Sequence, residues 1–184
     1  KYNKEPIFKN KSKSGKKILF LSEPISEQFL DKKRPLKEKK ILKSIIDVLP
    51  KDHQLTIKLH PRENEKKYKD CLKSLTNTKV LKNLDTKTIA SDFDFIIGIS
   101  TFLLFELSYL RDDLISFNLG KNNFLGEKLG ISKNLKSKRS LKKILSGNEN
   151  INNSTLKFKK KFKGSKKKII NFIEKIYRIN DDIQ

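Results

Sequence analysis

The sequence predicts an α/β, Rossmann-like domain of three layers, with a parallel sheet of about five strands and helices on both faces. Short apolar segments alternate along the chain with segments whose apolar residues recur at helical spacing. Some of the strand-like segments are apolar throughout, as in strands covered on both faces. A length of 184 residues with 35% hydrophobic composition suits one domain, or one half of a two-domain enzyme.

Five segments are predicted as strands because they are short, apolar and bounded by polar residues or proline. They cover residues 16–22, 55–60, 79–81, 94–99 and 114–117. Pro61 ends the second strand, since proline has no backbone N–H to donate.

The intervening segments are predicted as helices. They cover residues 36–49, 64–75, 86–90, 102–110, 141–145 and 165–177. Pro35 suits the first turn of the first helix, and Pro50 ends that helix. Asp85 and Ser140 are predicted N-caps, and Ser100 or Thr101 opens the helix that follows the fourth strand.

Three regions are expected along the chain: a linker or disordered segment over residues 1–17, the Rossmann-like domain over 18–164, and a C-terminal amphipathic helix within 165–184. The chain contains no methionine. It is therefore expected to be a piece of a longer protein whose N-terminal part is missing.

The charge of the chain is strongly positive, with 43 Lys and Arg residues against 21 acids and a net charge of +22. Only five of the 43 are arginine, the residue that base and phosphate recognition favours, so the excess argues for generic surface charge rather than nucleic-acid binding. The lysine cluster from Lys157 to Lys168 fits either peripheral contact with an anionic membrane or a solvated face. A basic module for nucleic acid or anionic membrane stays open as the alternative function.

Several classes of protein are excluded by composition. No apolar stretch approaches the roughly 20 residues of a membrane span, and the start of the chain lacks the apolar core of a secretory signal. A single cysteine, Cys71, excludes a disulfide framework and a cysteine-rich zinc site, which favours a cytoplasmic setting. Neither a G-x-G-x-x-G nor a G-K-[ST] motif is present, and the His and Cys residues form no metal-ligand spacing.

Polar residues follow the second predicted strand, where ligands bind in open parallel sheets. His60 can donate to a phosphate and change protonation near neutral pH, Pro61 fixes the turn after it, and Arg62 adds a positive charge. Capping of the strand end is the alternative role for His60.

Hydroxyl groups follow the fourth strand. Ser100 and Thr101 offer two hydroxyls and the free N–H groups of a helix start, a combination that binds phosphate or serves as an ordinary N-cap. Glu106 lies within the apolar segment FLLFELSYL, where a carboxylate is costly unless it is paired, meets a ligand or faces solvent.

The first strand leads into a loop that contains Ser22, Glu23 and Glu27, which we expect to line the same cleft. Glu23 and Glu27 are candidates for acid–base work. His53 follows a polar turn and is expected to be solvated, and Cys71 is expected to be structural.

Three segments in this order, ILFLSEPISE, LTIKLHPRE and SDFDFIIGISTFLLFELSYL, resemble the C-terminal nucleotide-sugar half of GT-B glycosyltransferases. The similarity spans roughly residues 16–120 and is closest to bacterial sialyltransferase and polysialyltransferase-type enzymes of surface polysaccharide synthesis. Transferases of Kdo or glycerol phosphate, and sugar-nucleotide 2-epimerases, fit nearly as well.

The resemblance implies a metal-independent transferase that takes a CMP-linked sugar donor and a glycan acceptor and needs no further cofactor. It implies that His60-Pro61 and Ser100-Thr101 contact the donor phosphate and that His60 assists the departing CMP. The acidic catalytic base would belong to the missing N-terminal domain. Such an enzyme would lie in the cytoplasm, peripherally at the inner face of the membrane.

Overall fold

Six parallel strands form one sheet in the described part of the computed structural model, which covers residues 15–25, 37–73, 75–119, 125–151 and 164–165. The strands are β1 (Lys17–Leu21), β2 (Gln54–Lys58), β3 (Thr78–Leu81), β4 (Phe95–Gly98), β5 (Leu114–Phe117) and β6 (Lys133–Leu135). The first five are the predicted strands, and β6 is additional, so the expected count of about five is one short.

The strand order is β3-β2-β1-β4-β5-β6, and every neighbouring pair is parallel. Leu21 at the end of β1 lies opposite Lys58 of β2 on one side and Gly98 of β4 on the other. The chain therefore builds the sheet outward from β1 in one direction, then returns to add β4 on the other side. This reversal of strand order creates a crevice at the carboxyl ends of β1 and β4.

Helices cover both faces of the sheet. They are α1 (Lys37–Ile46), α2 (Lys69–Leu72), α3 (Thr86–Asp92), α4 (Leu103–Leu107), α5 (Leu125–Lys128) and α6 (Lys138–Leu145), with a 3₁₀ helix at Glu65–Tyr68. The apolar side chains of α1 and α6 pack in one core cluster, and those of α3 and α4 pack in the other. The three-layer Rossmann-like α/β fold is thus confirmed.

Four consecutive residues of the central strand β1, ILFL after the exposed Lys17, are apolar because both faces of the strand are covered. Ile18 and Phe20 belong to the core on the α1/α6 face, and Leu19 and Leu21 belong to the core on the α3/α4 face. All four side chains are buried, because successive residues of a strand point to opposite faces and both faces are covered.

Several predicted helices differ in detail. The helix expected over residues 102–110 is shorter, at Leu103–Leu107, and its N-cap is Phe102 rather than Ser100 or Thr101. The polar helix expected over residues 64–75 is a short 3₁₀ helix followed by the single turn α2, both within 65–72. The N-cap of α6 is Ser137, not Ser140: the Ser137 hydroxyl accepts a hydrogen bond from the Ser140 N–H at 3.2 Å. The predicted C-terminal helix and the lysine cluster from Lys157 to Lys168 lie outside the described residues, apart from residues 164–165.

A buried arginine fixes the amino edge of the sheet. Arg111 donates to the backbone carbonyls of Ala90, Phe93 and Asp94. Its guanidinium also pairs in a bidentate manner with Asp113, with Nε 2.6 Å from Oδ1. Because this guanidinium is held by the chain's own acceptors at the edge opposite the crevice, its role is structural.

Candidate functional site

The loops after β1, β2 and β4 meet at the carboxyl edge of the sheet. Since β2 and β4 both flank β1, the backbones that carry His60 and Ser100 are separated by two strand spacings, about 10 Å. The loop that carries Ser22 and Glu23 lies between them. Ser22, Glu23, His60, Ser100 and Thr101 therefore share the edge of the sheet at which the strand order reverses.

His60 begins a tight turn that Pro61 shapes. The carbonyl of His60 accepts the N–H of Glu63 at 2.9 Å, and proline at the second position of such a turn already has the required φ. Within the turn, the Arg62 N–H donates to Nδ1 of His60 at 3.2 Å. The side chains of Pro61 and Arg62 are exposed, and His60 is half-buried.

The His60 ring is therefore held in one tautomer. Because Nδ1 accepts a backbone hydrogen bond, the neutral ring carries its proton on Nε2. Burial, followed by the positive charge of Arg62, lowers the pKa of His60 from its ordinary 6.5, against an opposing effect of Glu63. The ring is thus mainly neutral at pH 7 and can donate one hydrogen bond through Nε2–H.

Beneath this turn lies a buried polar network that the sequence analysis missed. Glu63 accepts the His60 N–H on Oε2 at 2.7 Å, and on Oε1 it accepts the Ser22 hydroxyl at 2.7 Å. Lys67 lies 2.6 Å from Glu63 and 2.6 Å from Glu38, and both carboxylates are fully buried. The spacing of Glu63 and Lys67, four residues apart, was the one sequence signal for this network.

Glu23 bridges the crevice from β1 to β4. Its Oε1 accepts the Ser100 N–H at 2.6 Å, and its Oε2 accepts the Ser100 hydroxyl at 2.9 Å. Burial raises the pKa of Glu23 from 4.5, although the hydrogen bonds from Ser100 act in the opposite direction. The backbone N–H that the sequence analysis assigned to phosphate thus already binds a carboxylate of the chain itself.

Thr101 lies next to this contact and precedes Phe102, the N-cap of α4. Its hydroxyl oxygen accepts the Leu103 N–H at 3.3 Å, which leaves the hydroxyl proton available to donate. The end of β4 permits this close packing because residue 98 is glycine. A Cβ at Gly98 would lie 2.9 Å from Leu104 Cδ1 and 3.1 Å from the Thr101 methyl carbon.

An exposed aromatic ring follows Thr101. Phe102 is 73% exposed and stacks on Phe105 with ring centroids 5.5 Å apart and an interplanar angle of 20°. This phenylalanine begins the apolar segment FLLFELSYL. Its position beside Thr101 places an open apolar surface next to the hydroxyl donors.

Two predicted site residues do not join this arrangement. Glu106 is half-buried on α4, and no contact between its carboxylate and His60, Ser100 or Thr101 is seen among the described residues. Glu27 lies outside the described residues. Lys58, at the end of β2, adds a half-buried ammonium whose pKa is lowered by burial.

His53 contradicts the expectation of a solvated side chain. It is 7% exposed, with Nδ1 2.9 Å from Asp52 Oδ1 and Nε2 3.3 Å from the Leu145 carbonyl oxygen. This histidine precedes β2, at the edge opposite His60, and ties that end of the sheet to α6. Cys71 is half-buried and packs against the core, in keeping with a structural role.

Searches for other binding features within the described residues give two results. No group of three or more His, Cys, Asp and Glu residues is arranged to hold a metal ion. In the same part of the chain, none of the helices has both the length and the apolar character needed to span a bilayer.

Comparison with known proteins identifies no relative: no protein-family model matches the chain, and no curated protein matches it significantly.

Proposed function

We propose that this chain is the nucleotide-sugar-binding domain of a metal-independent glycosyltransferase that uses a CMP-linked donor such as CMP-sialic acid. The observation that carries the proposal is the placement of two segments on either side of β1: the His60 turn follows β2 and Ser100-Thr101 follow β4, both at the carboxyl edge of the sheet. Open parallel sheets bind nucleotides in this crevice. The resemblance of the three loop segments to sialyltransferase-type enzymes suggests the class of donor.

In this proposal the donor phosphate lies between the His60 turn and the start of α4. Nε2–H of His60 and the Thr101 hydroxyl donate to its oxygens, and the exposed guanidinium of Arg62 adds positive charge. The two hydrogen bonds that Ser100 donates to the Glu23 carboxylate support the view that this backbone suits an oxyanion. The nucleobase stacks on the open face of Phe102.

The chemistry follows from where charge develops. Transfer of a sugar breaks its bond to the donor phosphate, and negative charge grows on that phosphate as the bond breaks. Donors held in place by the fold stabilise this charge more in the transition state than in the ground state. His60 acts through Nε2–H, either by hydrogen bonding or by giving its proton to the departing phosphate. The acceptor glycan and the catalytic base would come from a second domain.

Calorimetry with CMP, CMP-sialic acid and UDP tests the proposal directly. The cytidine ligands are expected to bind the 184-residue chain, and Thr101→Ala is expected to weaken CMP binding about tenfold, the loss of one charge-assisted hydrogen bond. Thr78→Ala is the matched control, since it removes the same hydroxyl at the amino end of β3. Absence of binding by every nucleotide at millimolar concentration would overturn the proposal.

The same experiment separates the alternative function. A basic module for nucleic acid or anionic membrane would bind through the lysine cluster from Lys157 to Lys168. Its affinity would fall steeply with salt and would be indifferent to Thr101→Ala. Loss of nucleotide binding on neutralising those lysines, with Thr101→Ala silent, would favour that module.

A further inference from the structure

We propose that Glu63 is a positioning residue that sets the distance between the two sides of the phosphate site, with Lys67 as its buried counter-ion. The inference rests on the proposed function, because it concerns how His60 and Ser100 are held relative to one another. It assigns a role to Glu63, which ends the segment LTIKLHPRE, and to Lys67, which follows that segment.

A continuous series of contacts connects the two sides. On the β2 side, Glu63 holds the His60 N–H at 2.7 Å and the Lys67 ammonium at 2.6 Å. The same ammonium lies 3.4 Å from the Glu23 carbonyl oxygen. On the β4 side, the Glu23 carboxylate holds the Ser100 N–H. The series therefore runs from His60 through Glu63, Lys67 and Glu23 to Ser100.

The centre of this series is rigid because it is buried. The side chains of Glu63 and Glu38 are fully buried, and that of Lys67 is 6% exposed. Glu63 also accepts the Ser22 hydroxyl, which in turn contacts the Tyr68 hydroxyl. Charged groups held in a dry environment resist displacement, since moving one partner leaves another buried charge uncompensated.

The two carboxylate oxygens of Glu63 accept hydrogen bonds from different groups. Oε1 is bound by Ser22 and Lys67, which fix the side chain to β1 and to α1 through Glu38. Oε2 is then presented to the backbone of His60. A shorter or neutral side chain could not satisfy Lys67 and His60 in the same way, so Glu63→Gln should loosen the His60 turn while preserving side-chain volume.

The test compares Glu63→Gln with Asp113→Asn. Both variants neutralise one carboxylate of an ion pair with a largely buried cation, but Asp113 pairs with Arg111 at the opposite edge of the sheet. The readouts are CMP affinity by calorimetry and the His60 tautomer from ring ¹⁵N shifts, assigned against His53. Glu63→Gln is expected to weaken CMP binding about tenfold and to reduce the population of the Nε2–H tautomer. Asp113→Asn is expected to leave both unchanged within about twofold.

Unchanged CMP affinity and an unchanged His60 tautomer in folded Glu63→Gln would overturn the inference while leaving the proposed function intact. If wild type binds no CMP, the proposed function fails, and the tautomer comparison still decides the role of Glu63. If Glu63→Gln does not fold, amide hydrogen exchange of the wild-type chain decides it instead. The His60 N–H should then exchange much more slowly than the Arg62 N–H, and equal rates would overturn the inference.

Discussion

Replacing His60 by alanine is expected to weaken CMP binding while leaving the stability of the fold nearly unchanged. Nε2–H of the half-buried ring would donate one hydrogen bond to a charged phosphate, a contact that contributes about 1.5–3 kcal/mol. At about 1.4 kcal/mol per factor of ten, the expected loss of affinity is about 10- to 150-fold. The ring's hydrogen bond to the protein is the one from the Arg62 N–H in an exposed turn, so the unfolding free energy should change by about 0.5 kcal/mol.

The other histidine of the chain provides the matched control. His53 is buried at the opposite edge, with Asp52 and the Leu145 carbonyl as its partners. His53→Ala removes these contacts and leaves a small cavity, which should lower the unfolding free energy by about 1–3 kcal/mol. It touches no part of the crevice, so CMP affinity should stay within about twofold of wild type.

The assay combines calorimetry with CMP at fixed salt and urea unfolding followed by circular dichroism. Opposite outcomes are expected: lost affinity with retained stability for His60→Ala, and retained affinity with lost stability for His53→Ala. Wild-type CMP affinity in His60→Ala would refute the assignment of this ring to the phosphate. A loss of affinity in both variants in proportion to their loss of stability would refute the separation of the two roles.

Three further predictions follow from the described contacts. Burial raises the folded-state pKa of Glu23 above 4.5, so its contribution to stability is fully present below about pH 4.5 and declines as pH rises through the folded pKa. The urea midpoint of wild type, relative to that of Glu23→Gln, should therefore fall from pH 4 to 7. A difference in midpoint that stays constant with pH would contradict this. Arg111→Ala leaves Asp113 unpaired and three carbonyls without their donor, and should lower the unfolding free energy by about 3–5 kcal/mol; a urea-measured loss below about 1 kcal/mol would be inconsistent with the structural role. Gly98→Ala places a Cβ 2.9 Å from Leu104 Cδ1, so the unfolding free energy should fall by about 1–3 kcal/mol and CMP binding should weaken. A variant as stable as wild type would show that α4 can shift to make room for the methyl group.

The strands could be predicted because strands that are buried on both faces have short, continuous apolar sequences. Each of the five predicted strands lies within two residues of its observed bounds. Strand β6 was not predicted because its sequence, KNL, has a single apolar residue, Leu135, which is also its only buried residue. An edge strand of three residues is specified by pairing with β5 rather than by its own composition.

The N-cap of α6 was predicted one turn too late, at Ser140 instead of Ser137. Ser140 precedes the apolar residues 141–145 and reads as a cap, but α6 begins earlier with Lys138 and Arg139 on its solvent side. Ser137 is the N-cap and Ser140 lies in the first turn, with their hydroxyl oxygens 2.8 Å apart. Periodicity locates the apolar stripe of a helix and not the polar turn that precedes it.

The candidate site was only partly accessible from the sequence. His60, Ser100 and Thr101 stood out because each follows a strand, and strand ends could be located. The Glu63–Lys67–Glu38 cluster could not be found in the same way, since charged residues are ordinarily solvated and nothing in the sequence shows that these are buried. Likewise, the burial of His53 depends on the carbonyl of Leu145, 92 residues away along the chain.

The position of β1 between β2 and β4 has a consequence for synthesis on the ribosome. The chain must extend through residues 22–94 after β1 is made before β4 can pair with it. At about 5–20 residues per second, this takes about 4–15 s. During that interval β1 has a neighbour on one side at most, and Leu104 and Leu107, which later cover Leu19 and Leu21, have not yet been translated. The apolar segment ILFL of β1 is therefore the part of the nascent chain that a ribosome-associated chaperone would be expected to bind.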